Sequence, residues 1–443
     1  MSKTKAAYPN PFLWVPSSYL AMGLIYVTVG SVANVMFKNM GMDNTSAAFW
    51  SSILGFPYTF KFLWAPLLEL YKNKRFFVVL MQFLLAASVA GVAFALRLPD
   101  KSWLAPVLAL LAISAILGAT QDIGSDGVYV TTLPPKDMAK YTGFQSMCWN
   151  AGFLLAAGPL IHFSGVLHEN THNWGTSWMV ILLIIAGLMV LAGLYHSHLL
   201  PPGAAALDAP RSFGQAMGTF GHAFVTFFQK KDVLRLVAFA FFYRSGFGLI
   251  DKMGPLFMID DRAKGGLGLS NQMLGDINGT FGTGAFIVGS LVGGWFISRV
   301  GLRKSLLALC LCLNIPNVTF LILSQTQPSN YSLIAAIVTL EKLGWGIGCV
   351  GHMIYMMQQI APGPYKTAHY TIATALMGAC MMTTGAVSGY LQKWVGYRWF
   401  FIIVLLAAAP SILVTLLAPF HNPDSAGPGA EEKVGEETAA APA

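Results

Sequence analysis

The sequence predicts an all-α, polytopic membrane protein of about twelve transmembrane helices arranged as two six-helix halves. Three observations lead there. The composition is too apolar for water, the apolar runs have the length of bilayer-spanning helices, and features of the first six runs recur in the last six.

Of the 443 residues, 55% are hydrophobic and 10% charged, and the mean hydropathy is +0.59. An ordinary soluble domain carries charge on about a quarter of its residues. A water-soluble chain this apolar would leave large hydrophobic areas facing solvent, whereas a bilayer solvates each of them.

A helix needs roughly 20 apolar residues to cross about 30 Å of hydrocarbon. Runs of that length are predicted at residues 15–38, 45–70, 75–97, 103–130, 139–164, 175–199, 233–259, 268–298, 303–325, 331–360, 367–391 and 396–419. They are continuously apolar and do not alternate in short pieces, which selects helices over a barrel. The polar start, Met1 to Asn10, precedes a run with no small-residue cleavage site, so it reads as the lead into a retained first helix. Cys148, Cys310, Cys312, Cys349 and Cys380 lie in apolar runs without metal spacing and read as small hydrophobes. No metal or cofactor is expected.

Charge sets the orientation. With both termini in the cytoplasm, the inside receives Lys3, Lys5, Lys72, Lys74, Arg75, Lys136, Lys140, Arg211, Lys230, Lys231, Arg299, Arg303, Lys304, Lys366 and Lys433. The outside receives only Lys38, Arg97, Lys101, Arg262, Lys264, Lys393 and Arg398. Basic loops resist translocation, so this bias supports that placement. The net charge of +8 is thus a topology signal and does not point to nucleic acid. The reading divides the chain into a first half at 1–199, a cytoplasmic linker at 200–231, a second half at 232–420 and a disordered tail at 421–443. In the linker, Phe213, Met217, Phe220, Phe224 and Phe228 recur at helical spacing, as in a helix lying in the membrane interface.

The repeat is visible about this linker. Tyr26 precedes Asn34 by eight residues in span 1, as Tyr243 precedes Asp251 in span 7. Spans 4 and 10 both run into a Pro-rich turn, a lysine and a Tyr-Thr pair: Pro134, Pro135, Lys140, Tyr141, Thr142, and Pro362, Pro364, Lys366, Tyr370, Thr371. After span 8, Gly294, Ser298, Arg299, Gly301, Arg303 and Lys304 resemble the cytoplasmic signature of the major facilitators, with Ser298 in place of its Asp. Glu69, Lys72, Lys74 and Arg75 occupy the matching loop of the first half. Bases there are expected to grip carboxylates or helix C-termini and latch one conformation. Substrate in such a bundle sits between halves that rock, and the 45 glycines suit close, sliding helices.

Ionisable groups at lipid depth are costly unless paired or wet, so each is a functional candidate. Asp122 and Asp126 stand one turn apart in span 4, and two like charges on one face favour holding a proton, which marks them for proton coupling. Lys61, flanked by aromatics and Trp64 in span 2, is a partner for those acids or for an anionic substrate. Arg244 and Asp251 are seven residues apart in span 7 and share a face; the planar guanidinium suits a carboxylate, while the adjacent Lys252 is expected to snorkel outward. Glu341 and Lys342 in span 10 are sequence neighbours and so are not expected to meet at one point, leaving Glu341 to face the cavity near Trp345. Tyr26, Trp64, Trp149, Tyr243 and Trp345 are aromatics able to stack on sugar rings.

Two motifs are more specific. Phe60, Lys61, Phe62, Leu63, Trp64, Pro66, Leu67 and Tyr71 in span 2, with Thr120, Gln121, Asp122, Ile123, Asp126, Leu133 and Pro134 in span 4, resemble the AmpG-type muropeptide permeases, within the peptide, acetyl-coenzyme A and drug transporter branch of the major facilitators. The resemblance implies inner-membrane, proton-driven import of anhydromuropeptides; a monomer is expected. It implies Lys61 or Arg244 for the substrate's carboxylates, Gln121, Gln145 and Asn150 for its amides, and an aromatic for a ring. The family continues after its second acid with Ala, an aromatic and a base; here Gly127, Val128, Tyr129 and Val130 follow Asp126, which leaves siderophores and other oligosaccharides open as solutes.

Two other classes fit less well. An intramembrane diphosphate-dependent enzyme holding magnesium on Asp122 and Asp126 needs a second acidic cluster on a facing helix, but Asp260 and Asp261 sit in an outer loop and Glu341 is alone. A channel needs a selectivity filter, and no segment resembles one.

Overall fold

The computed structural model describes residues 9–65, 68, 73–100, 102–133, 135–203, 213–363 and 365–422. All regular structure among them is helical. The expected disordered tail from residue 423 onward and motif residues Pro66, Leu67, Glu69, Tyr71, Lys72, Pro134 and Pro364 lie outside the described residues.

In chain order the helices are α1 (Pro11–Asn39), α2 (Asn44–Ile53), α3 (Phe56–Phe60), α4 (Lys74–Ala95), α5 (Leu104–Thr132), α6 (Pro135–Leu155), α7 (Ile161–Thr171), α8 (Trp174–Leu199), α9 (Phe213–Phe228), α10 (Val233–Phe242), α11 (Ser245–Ile259), α12 (Asn271–Val300), α13 (Leu302–Thr326), α14 (Tyr331–Ile360), α15 (Lys366–Leu406) and α16 (Ala408–Leu416). Polar caps start several of them. Asn73, Asn173, Ser270 and Asn330 each accept a hydrogen bond from the backbone N–H three residues on, at 2.9 to 3.3 Å.

Among the described residues, 10 helices are long and apolar enough to cross a bilayer. The expected twelve differ for two physical reasons. Span 2 is not one rod: Leu54 and Gly55 form a turn, Pro57 starts a new short helix, and the chain tightens to a 3-10 turn at Lys61–Leu63. Spans 11 and 12 form one stretch, Lys366–Leu416, broken at Gly396, whose φ of 74° only glycine adopts without strain.

The chain forms two compact units: the described residues up to Met42 with Ile53–Phe220, and Asp43–Ser52 with those from Gly221 onward. In the first, α1 packs on α6 with glycine on both sides. A Cβ on Gly23 would strike the Trp149 carbonyl, and one on Gly152 the Leu20 carbonyl. Lipid gives no hydrophobic drive between helices, so van der Waals contact through small residues holds them. Buried His196 of α8 bridges Gln82 of α4 and Ser17 of α1, each at 2.8 Å. Arg75, in the first turn of α4, donates to the Leu200 carbonyl just past the end of α8 at 3.2 Å.

In the second unit, α12 and α14 approach through Gly289, Gly293 and Gly346, where any Cβ would meet backbone of the other helix. The short α2 belongs here although its sequence lies in the first half. Asn44 donates to Tyr397 Oη at 2.8 Å and Asp260 Oδ2 at 3.0 Å, and Thr45 donates to the Gly389 carbonyl at 3.2 Å. Phe227, off the stripe read from the linker sequence, is buried against His369, while Phe224 and Phe228 of that stripe stay exposed. The chain after α16 is strapped down: Tyr355 donates to the Pro419 carbonyl at 2.5 Å, Gln359 accepts from the His421 and Asn422 amides at 3.0 Å, and Arg303 lies over the Phe420 ring.

Candidate functional site

In the first unit, α5 presents two acids on one face to two different partners. Asp122 is ion-paired with Lys61, which stands at the 3-10 turn after α3. Asp126, one turn on, accepts a hydrogen bond from the Tyr19 hydroxyl of α1 at 2.7 Å. Lys61 and Asp122 keep 27% and 14% of their side-chain surface exposed, and Asp126 is half-buried, so none is wholly covered by the rest of the protein. Two carboxylates face one lysine. With both ionised the cluster carries a net negative charge, and one proton neutralises it; at lipid depth neutrality is worth several kcal/mol.

Other candidates of the first unit lie on α3, α5, α6 and the turn after α3. Gln121 is 1% exposed, and neither atom of its amide has a partner among the described residues. Tyr58 sends its hydroxyl, also without a partner, into the space left by Gly118, where a Cβ would collide with it. Trp64 donates its indole N–H to Thr120 Oγ1 at 3.2 Å. On α6, Gln145 is half-buried and Asn150 donates one amide N–H to the Ser146 carbonyl at 2.8 Å. Gly127, in the stretch that departs from the permease pattern, makes room for the aliphatic stem of Lys74.

In the second unit the helix of span 7 breaks at Tyr243 and Arg244, between α10 and α11. Arg244 is half-buried; its Nη2 donates to the Cys349 carbonyl at 3.4 Å, its Nε has no partner, and no carboxylate lies within ion-pair distance among the described residues. Tyr243 is wholly buried and donates to the Gly348 carbonyl at 3.1 Å, so it braces the break and does not offer a surface to solute.

Arg244 itself caps the N-terminus of α11, its carbonyl accepting from the Gly248 amide at 3.0 Å, and Asp251 further along α11 lies 3.7 Å from Lys252. Two expectations are corrected. Lys252 does not snorkel outward; it is 8% exposed and packs beside Gly385. Glu341 and Lys342 do meet, at 3.0 Å, because both side chains are long enough to bend together, although the contact lacks hydrogen-bond alignment. Glu341 is thereby 1% exposed and turned away from solvent. Lys342 also covers Phe247 and Trp345, and Trp345 is sandwiched between Phe247 at 4.6 Å and Phe286 at 4.3 Å.

Tyr19 was not legible as a site residue. Its one signal is spacing: it stands seven residues before Tyr26, hence on the same face of α1. Among the described residues no group of three or more His, Cys, Asp or Glu is placed to hold a metal ion.

The comparisons agree with this architecture. An anhydromuropeptide permease of Escherichia coli (strain K12) is 24% identical over 393 residues, 87% of this chain and 74% of the relative. A protein named putative transporter AmpG 4 of Rickettsia conorii is 20% identical over 409 residues, 90% of this chain and 94% of the relative. Among solved structures, a D-xylose-proton symporter superposes with a TM-score of 0.68 at 13% identity, covering 93% of this chain and 97% of that one. A nucleoside transporter, NupG, gives 0.65 at 15% identity, covering 92% and 97%. The profile of the Major Facilitator Superfamily matches residues 17–382 and 257–442. With two helical units, spans of bilayer length and that match over most of its length, the chain belongs to the Major Facilitator Superfamily: it is a multi-pass membrane permease for a small molecule, not an enzyme.

Proposed function

We propose that the protein imports an N-acetylated glycopeptide of the anhydromuropeptide kind across the bacterial inner membrane, as a monomer with both termini in the cytoplasm, by proton symport and alternating access. The observation that carries the coupling is the excess of acid in the first unit: Asp122 and Asp126 with the single cation Lys61. A solute carboxylate competes with Asp122 for Lys61, which leaves the cluster with more uncompensated acid, and a proton taken up there offsets it. Solute and proton therefore favour each other's binding, and the linkage is reciprocal.

The half-buried guanidinium of Arg244, with no carboxylate in ion-pair distance among the described residues, suits an anionic group by its two-pronged geometry. Gln121 and Asn150 offer amide chemistry that matches N-acetyl groups. The name of the Escherichia coli relative supports the solute class.

The test is uptake into proteoliposomes under an imposed pH gradient, comparing an anhydromuropeptide, an N-acetylglucosamine oligosaccharide and a siderophore. Accumulation of the anhydromuropeptide above its equilibrium level is expected, and Asp126→Asn is expected to abolish it while sparing exchange down the solute gradient. Undiminished accumulation by Asp126→Asn removes that residue from the coupling role.

A further inference from the structure

We infer that a cleft in the second unit, where the end of α13 meets the break in α15, binds the phosphate of an anionic phospholipid headgroup, with Arg398 as its principal contact. The cleft holds about 380 Å³. Three pieces of chain bound it: Gly265 in the turn after α11, Ser324 to Gln327 at the end of α13, and Tyr397, Arg398 and Trp399 just past the break at Gly396. Gly265, Gln327 and Gly396 all have positive φ, at 86°, 41° and 74°. Glycine takes that conformation freely and glutamine does not. Gln327 is held there by Arg262, which donates to its carbonyl at 2.8 Å and to the Pro328 carbonyl at 2.7 Å. Another wall is fixed through Tyr397, which is 4% exposed and donates to Asp260 Oδ2 at 3.1 Å.

The charges around the cleft leave one cation for a ligand. Lys264 is paired with Asp261 at 3.0 Å, and Arg262 is spent on the two carbonyls. Arg398 lines the cleft with no carboxylate in ion-pair distance among the described residues. The fork of a guanidinium matches two oxygens of a phosphate. The side-chain amides of Gln325 and Gln327 add N–H donors for the same anion. Ser324 donates its hydroxyl to the Leu321 carbonyl at 2.8 Å, which leaves its oxygen to accept from a headgroup hydroxyl.

Position selects a lipid over a dissolved anion. The apolar stretch Lys366–Leu416 has 51 residues, about 77 Å of helix, which is more than twice the hydrocarbon thickness of about 30 Å. Two crossings therefore meet at Gly396, and the break stands at a membrane surface. The span of α13 ends beside it, at Thr326. A cleft there lies at the depth of lipid phosphates, and Trp399 on its wall is of the residue type that settles between headgroup and hydrocarbon. The volume is near the lower end of the range for ligand sites, about 300–1,000 Å³. It admits a headgroup and not a disaccharide that carries a peptide, so the transported solute is not its occupant.

The experiment titrates the full chain, purified in detergent and stripped of lipid, with phosphatidylglycerol and reads the first bound lipid by native mass spectrometry. Wild type is compared with Arg398→Gln, Arg398→Lys and Lys393→Gln; Lys393 is a base of the same helix that does not line the cleft. Both side chains are exposed, so the variants are expected to fold. Arg398→Gln is expected to weaken the first binding event about tenfold, and Arg398→Lys, which keeps the charge and loses the fork, about threefold. Lys393→Gln is expected to stay within about twofold of wild type. Glycerol 3-phosphate, which carries the phosphate without acyl chains, is expected to leave the bound lipid in place at equal concentration. Wild-type affinity in Arg398→Gln, an equal loss in Lys393→Gln, or no lipid bound by the wild type overturns the site. Displacement by glycerol 3-phosphate at equal concentration overturns the lipid as its occupant and makes it a site for a dissolved anion.

Discussion

Lys61 and Arg244 are both cations set in apolar spans, one in each compact unit, and their surroundings are opposite. Lys61 is paired with Asp122 and has a second acid, Asp126, a turn away, whereas Arg244 has a backbone carbonyl and no carboxylate. An over-compensated cation is switched by protons, since the surplus acid is the group that changes charge. An uncompensated cation is switched by an anion that arrives from outside. The same superfamily fold thus holds one unit suited to coupling and one suited to recognition.

Three substitutions test that contrast. Asp122→Asn leaves the Lys61 charge without its partner and is expected to cost about 3 kcal/mol, read as a lower thermal midpoint in detergent. Lys61→Met combined with it is expected to restore most of the loss; a single variant as stable as wild type would show the pair to be incidental. Arg244→Gln is expected to raise KM for an anionic solute by roughly ten- to a hundredfold, the equivalent of about 1.5–3 kcal/mol for a charged hydrogen bond, without lowering the thermal midpoint. A fall in midpoint as large as that of Asp122→Asn would mean Arg244 is a structural brace.

Smaller effects test the packing beneath the first cluster. Gly118→Ala drives a methyl group into the Tyr58 hydroxyl and is expected to cost about 1–2 kcal/mol, relieved by Tyr58→Phe in the same chain. Additive losses in the double variant would refute the contact. Arg75→Gln, which gives up the hydrogen bond to the Leu200 carbonyl, is expected to cost about 1 kcal/mol in the same midpoint measurement.

Much of the first cluster was legible because its residues are charged and lie where charge is expensive. Asp122, Asp126 and Lys61 stand out in any apolar run, and helical spacing put the two acids on one face. Tyr19 was not legible, since a tyrosine in a membrane helix is ordinary and only its approach to Asp126 gives it a role. In the second unit the break of span 7 at Tyr243 and Arg244 was not legible, because the apolar run continues through it. Sequence neighbours were also held apart on principle, yet the reach of Glu341 and Lys342 exceeds the angle that separates their backbones.

The sequence by itself determined the solvent and the helical class, because these follow from hydropathy and run length, both of which are sums over many residues. Tertiary structure decided which aromatics remain open, which lysine finds which acid, and that α2 joins the unit of the other half. Those outcomes depend on contacts between residues far apart in the chain and on breaks of a few residues. A linear pattern records the first as separate letters and averages the second away.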